Sequence, residues 1–251
     1  MTETAHPDVE TASDDYARRF AGAIGSWMLA AQARAVADLL QPLPVGSRVL
    51  DVGGGHAQLT PVLIERGYHV VVLGSAAAAA GPRLQPFLDA GLVEFSVGSL
   101  TNLPFDDAAF DAVVSVRLLP HLPGWRTFLA DACRVARWSV IVDYPSIRSV
   151  NRFAEATFAL KKRIEGNTRT FTLFDSIEID AAFEACGFRV GDRRSEFFLP
   201  MVVHRMHRLP ALGRTLEAPG RWLGLTRRWG SPVIARADRV GHGALRAGLS
   251  S

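Results

Sequence analysis

The chain has 251 residues, of which 48% are apolar and 21% charged, and its formal net charge is +3. That is enough apolar material for one α/β domain with appended helices, and it excludes an intrinsically disordered chain. Two cysteines far apart in sequence, Cys133 and Cys186, exclude a disulfide framework and a C-x-x-C metal site, and read as buried free thiols in a reducing compartment.

From the N-terminus, residues 1–16 hold Glu3, Asp8, Glu10, Asp14 and Asp15 and no Lys or Arg. No apolar leader is visible there, and no apolar run approaches the roughly 18 residues of a spanning helix, so a soluble, cytoplasmic protein is expected. From Asp14 to Leu40 apolar residues recur at helical spacing, with Gly22 and Gly25 as a break. QPLPVGS stops that helix. Arg48 to Val52 is a strand, 57–66 a helix with Pro61 in its first turn, and YHVVVL a second strand. Residues 76–90 read as a helix interrupted at Gly81-Pro82, and Leu92 to Val97 as a third strand. After the loop TNLPFDDAA, residues 110–116 form a buried strand, 125–136 a helix and WSVIVD another strand. Strands alternating with helices predict a parallel sheet, and near-continuous apolar strands predict helices on both faces.

Past Tyr144 the alternation loosens. Residues 149–164 and 176–186 read as helices, 188–199 as a strand and SPVIARA as a last short strand. Residues 187–251 hold twelve Arg against four acids. Within 201–230, Arg alternates with Met, Val, Leu and Trp. This segment reads either as a helix covering the sheet with a solvated basic face, the favoured reading, or as a basic amphipathic helix lying on anionic lipid. No nucleic-acid-binding motif accompanies the charge, so no nucleic-acid partner is expected.

The chemistry centres on VLDVGGGHAQ, residues 49–58, between a strand and a helix. Glycines there let backbone N–H groups approach a ligand, and ligands of open parallel sheets bind at the carboxyl ends of the strands. A tight packing turn is the competing reading. Residues 49–143 resemble the class I S-adenosylmethionine-dependent methyltransferases, in particular the small-molecule type related to quinone biosynthesis. VLDVGGG is similar to their first motif, and LPFDDAAFDAVVSVRLLPHL to the segment running from the strand-3 loop through strand 4.

The resemblance implies a three-layer α/β sandwich with a mostly parallel seven-stranded sheet and an antiparallel last strand. It implies a helical cap over 1–45, a Rossmann-like cofactor half over 46–145, and a substrate-side half over 146–251 with a lid at 146–187 and the basic insertion at 200–230. The implied cofactor is S-adenosylmethionine, with a small-molecule, amphipathic methyl acceptor. Asp51 is expected at the methionine amino end, with Gly53, Gly54 and Gly55 packing on the methionine and ribose. Leu100 and Val116 add cofactor contacts. The acids that usually take the ribose hydroxyls and the adenine amine are replaced by Gly74 or Ser75 and by Ser99. Ser75 and Ser99 hydroxyls offer weaker hydrogen bonds instead. That departure keeps open a non-methylating cyclase, isomerase or binding protein on the same fold.

His121, Arg117 and Tyr144 are the expected acceptor-side residues, as base, anion binder and pocket wall, facing one crevice with Asp143. A capping role for His121, an internal salt bridge for Arg117 and core packing for Tyr144 are the competing readings. Arg163, Asn167 and Arg169 are the expected lid contacts to substrate. No metal ligand set is recognisable.

Overall fold

The computed structural model describes residues 7–13, 17–18, 20–149, 171–199 and 210–241. The first helices are α1 (Pro7–Ala12) and α2 (Gly22–Leu40), followed by β1 (Arg48–Val52), α3 (Thr60–Glu65) and β2 (His69–Gly74). Then come α4 (Gln85–Asp89), β3 (Val93–Val97), β4 (Phe110–Ser115), α5 (Trp125–Val135) and β5 (Ala136–Tyr144). The chain closes with α6 (Ser176–Glu184), β6 (Phe188–Phe197), α7 (Pro210–Trp222), α8 (Leu225–Trp229) and β7 (Ser231–Arg239). The predicted helix over 76–90 is a 3-10 turn at Ala77–Ala79 plus the short α4. Gly81 and Pro82 break it as expected. The helix expected over 149–164 lies outside the described residues.

The seven strands form one sheet in the order β3-β2-β1-β4-β5-β7-β6. β1 to β5 pair in parallel, and β7 runs antiparallel to both β5 and β6. The expected three-layer sandwich is therefore borne out, with its antiparallel last strand at Ser231–Arg239.

Successive strand residues point to opposite faces, and the two cores follow from that. Val49, Val72, Val114, Ile141 and Ile234 pack under α2 and α3. Leu50, Leu73, Val113, Val142 and Val233 pack under α5 and α6, where Phe128, Leu129, Ile179 and Phe183 are fully buried. Cys133 is buried in this second core and Cys186 packs against it half-buried.

The position of α2 matters for the site. Its buried stripe runs through Ile24, Met28, Val36 and Leu39, at helical spacing, with Gln32 as the one amide among them. Its last carbonyls have no partner within the helix. Buried Arg236 donates from Nη1 to Leu39 O at 2.5 Å, and Tyr68 Oη donates to Leu40 O at 3.0 Å. These two bonds from the sheet fix α2 along its axis and so fix where Gln32 lands.

Candidate active site at the carboxyl edge of the sheet

Asp51 is the fourth residue of β1 and is fully buried. Neither carboxylate oxygen has a hydrogen-bond partner among the described residues. The turn after it bends tightly: Gly53 has φ +76°, a left-handed conformation that favours glycine. A Cβ on Gly54 would stand 2.1 Å from Asp51 Oδ2, so the carboxylate lies against bare backbone. Burial pushes the Asp51 carboxyl up to about 7, and the Arg117 guanidinium pulls against that rise.

The other glycines pack the chain on itself. A Cβ on Gly55 would lie 1.6 Å from Ala79 O, and one on Gly74 would lie 2.7 Å from Ala79 Cβ and 2.8 Å from Phe95 Cζ. The absent side chains of Gly55 and Gly74, both expected at the cofactor, also make room for the alanine segment 76–80. Leu100 and Val116 are buried. Ser99 is exposed and accepts a hydrogen bond from Thr101 N at 3.2 Å, so its hydroxyl shapes the loop locally.

Sequence reasoning missed two groups. The first is His56, immediately after the glycines. It is buried, and neither ring nitrogen has a hydrogen-bond partner among the described residues. Burial, then the charges of Arg117 and Arg83, push it down to about 4, so it is neutral at pH 7. His56 lines a cavity of about 280 Å³ with Phe20, Leu29, Ser26, Arg18 and Arg83. Its signal was present: a histidine inside the motif itself.

The second missed group is Asp8 of α1, which is 1% exposed. Its Oδ2 accepts from Ser75 N at 2.6 Å and its Oδ1 from Ser75 Oγ at 2.5 Å. The end of β2, where the sequence offers no acid, therefore holds a carboxylate supplied from 67 residues away. Ala12 of the same helix packs on Gly55 and Gly81. No local pattern in the sequence announces such a contact.

At the ends of β4 and β5 the polar groups are linked. Arg117 adopts φ +59°, uncommon for a side-chain-bearing residue, and its N–H donates to Asp143 Oδ1 at 2.6 Å. Gln32 Nε2 donates to Asp143 Oδ2 at 2.7 Å, and Gln58 Nε2 donates to Gln32 Oε1 at 2.7 Å. Burial pushes the Asp143 carboxyl up to about 6 against these hydrogen bonds and the Arg117 charge. The Arg117 guanidinium lies 5.3 Å from the Phe20 ring centroid. Its charge acts on Asp51 and Asp143 together, so its electrostatic counterweight is supplied by the protein.

Tyr144 does not share a crevice with Asp143. Adjacent strand residues face opposite ways, and Tyr144 is fully buried in the core under α5 and α6. Its hydroxyl donates to Ser176 Oγ at 3.1 Å and accepts from Arg193 Nε at 3.3 Å. It is a packing residue, which corrects its assignment to the site. His121 ends a 3-10 turn after β4, half-buried, with its ring 5.7 Å from that of Phe171. Arg163, Asn167 and Arg169 lie outside the described residues.

A family model described as a methyltransferase domain matches residues 50–139. Residues 50–139 are therefore similar to a methyltransferase domain. A phthiotriol/phenolphthiotriol dimycocerosates methyltransferase of Mycobacterium tuberculosis is 35% identical over 115 residues, covering 43% of this chain and 41% of that protein. The chain thus spans about two-fifths of the length of that relative. Magnesium protoporphyrin IX methyltransferase from Synechocystis PCC 6803, solved with bound SAH, superposes with a TM-score of 0.60 at 16% identity, covering 90% of this chain and 93% of that one. The [4+2]-cyclase SpnF superposes with a TM-score of 0.56 at 18% identity, covering 82% of this chain and 80% of that one. The matched methyltransferase domain holds Asp51, the glycine turn, His56 and Arg117. Asp8 lies before it and Asp143 after it.

Proposed function

We propose that the protein is an S-adenosylmethionine-dependent methyltransferase acting on a small, amphipathic molecule. One observation carries this reading: two buried polar side chains without hydrogen-bond partners among the described residues, Asp51 and His56, flank the glycine turn. An amino acid end needs an acceptor for its ammonium and a donor for its carboxylate. Ionised Asp51 is the first, and the N–H of neutral His56 is the second. Asp8, at the end of β2, still has accepting capacity beyond its two bonds to Ser75 and takes the ribose hydroxyls in this reading. When bound, S-adenosylmethionine supplies an electrophilic methyl group on a sulfonium.

The chain's part is alignment and proton handling. Gln32, Gln58 and the Arg117 backbone hold Asp143 in place beneath the acceptor side. Arg117 moderates the two buried carboxylates. His121, at the rim beside Phe171, takes the acceptor proton. The name of the mycobacterial relative, a phthiotriol/phenolphthiotriol dimycocerosates methyltransferase, supports an amphipathic acceptor.

A second reading rests on Ser99, exposed and without an acid at the adenine side. Together with a cyclase sharing the fold, it keeps a non-methylating role as the alternative. Calorimetric titration with S-adenosylhomocysteine separates the two. The first reading expects binding that weakens at least about ten-fold in Asp51→Asn and in His56→Ala, the scale of one lost charge-assisted hydrogen bond. Absence of binding by the wild-type protein supports the second. With binding established, His121→Ala should lower kcat by about a hundred-fold while leaving S-adenosylhomocysteine affinity unchanged.

A further inference from the structure

Helix α7 leaves large apolar side chains exposed at its C-terminal end, Trp222 and Leu223. The residues it buries are Gly213, Glu217 and Gly220, spaced to fall on one face. Glu217 is 1% exposed, and its carboxylate accepts from Phe198 N and Leu199 N at 2.9 Å each. Gly220 allows close approach, since a Cβ there would stand 3.2 Å from the Phe198 side chain. The flanking stripe, Leu212, Leu216, Pro219 and Leu223, lies about a quarter-turn from that face and is partly exposed, most of all at Leu223. Trp222 beside it is 86% exposed. The favoured sequence reading has this segment cover the sheet with a solvated outer face; that outer face includes Trp222 as well as arginines.

The charges around this stripe have one sign. Arg221, Arg227 and Arg228 are exposed, and Arg228 lies 5.3 Å from the Trp229 ring centroid. The only acid between residues 210 and 230 is Glu217, already spent on backbone N–H groups inside. Glu196, whose carboxyl feels the Arg221 charge, is buried too. A second copy of the chain would bring arginine against arginine. An anionic bilayer matches both features, taking Trp and Leu at the headgroup boundary and pairing each Arg with lipid phosphate.

We infer that α7 and α8 form a docking surface for anionic membrane lipid, seated through Trp222 and Leu223 and held by Arg221, Arg227 and Arg228. No helix among the described residues is long and apolar enough to cross a membrane, so contact is peripheral. This inference stands independently of the methyltransferase reading.

The test is flotation of the full chain with vesicles of phosphatidylcholine alone and of phosphatidylcholine mixed equally with phosphatidylglycerol. The expected result is binding to the mixed vesicles only, weakening as salt rises. A basic residue near an anionic leaflet is worth about five-fold in partitioning, so Arg227→Glu with Arg228→Glu should lower binding by about thirty-fold or more. Trp222→Ser with Leu223→Ser changes only exposed side chains and should also release the protein. Equal binding by both double variants, or none by the wild type, overturns the inference. So does self-association in light scattering that Trp222→Ser abolishes while vesicles stay bare, which would assign the stripe to a chain–chain interface. Titration with S-adenosylhomocysteine on the same variants should be unchanged, keeping failure here separate from failure of the proposed activity.

Discussion

Two buried carboxylates stand on neighbouring strand ends, and they differ in everything except burial. At the end of β2, Asp8 receives two short hydrogen bonds from Ser75. At the end of β1, Asp51 receives none among the described residues and lies against bare glycine backbone. A buried charge without a partner is costly, and a protein that keeps one is holding it for something else. Asp8 is complete as the chain folds. Asp51 finds no donor among the described residues, and in the proposed function the ligand supplies one. The turn joining them is where stability and binding separate.

The largest effect is expected at that turn. Gly55→Val would drive a side chain into Ala79 O, a backbone atom that cannot swing away, and should yield no cooperative melt. A folded Gly55→Val protein would mean the alanine segment is not seated as described. Next comes Asp51→Asn. It should cut S-adenosylhomocysteine affinity ten- to a hundred-fold while raising the melting temperature at pH 8, by about 2–4 °C for each kcal/mol of charge burial relieved. Asp8→Ala should do the reverse for stability. It leaves Ser75 N unsatisfied and costs about 1–3 kcal/mol, with weaker binding as a second consequence. If both carboxylate variants shift the melt in the same direction, the contrast between the two sites fails.

The smallest effect is on pH dependence. Asp51 and Asp143 are raised to about 7 and about 6, so the folded protein holds protons the unfolded chain has lost, and stability falls as pH rises through those values. His56, lowered to about 4, works in the opposite sense, adding stability as pH rises from about 4 to 6.5. Above the ordinary histidine range Asp51 remains, with Glu196, whose burial holds its carboxyl well above the usual range, acting in the same sense. The melting temperature should therefore decline from pH 6.5 to pH 8, and that decline should be shallower in Asp51→Asn.

The sheet could be read from sequence because parallel strands buried on both faces are apolar throughout, and Val49, Val72, Val114 and Ile141 say so in one dimension. Asp51 was legible because an acid ending such a strand stands out. Asp8 was not, since its contact with Ser75 is set by how α1 docks. Tyr144 was misplaced against a rule the sequence itself contains: a residue beside Asp143 on a strand must face away from it. For α7 the apolar stripe was visible, yet the seating of the helix was decided by Glu217 and Gly220, whose fit to Phe198 and Leu199 has no local signature.

Helix α1 also bears on turnover. It has six residues, too few to persist alone in water, and it is held against Ser75 by Asp8 and against Gly55 and Gly81 by Ala12. If the site binds as proposed, letting a spent cofactor go would need this short piece to lift, its two hydrogen bonds to Ser75 included, with the seven-stranded sheet undisturbed. The rate of each cycle would then be set by how quickly α1 lifts and reseats, a local opening far cheaper than global unfolding. Substitutions along residues 7–12 would tune speed without touching the reacting atoms.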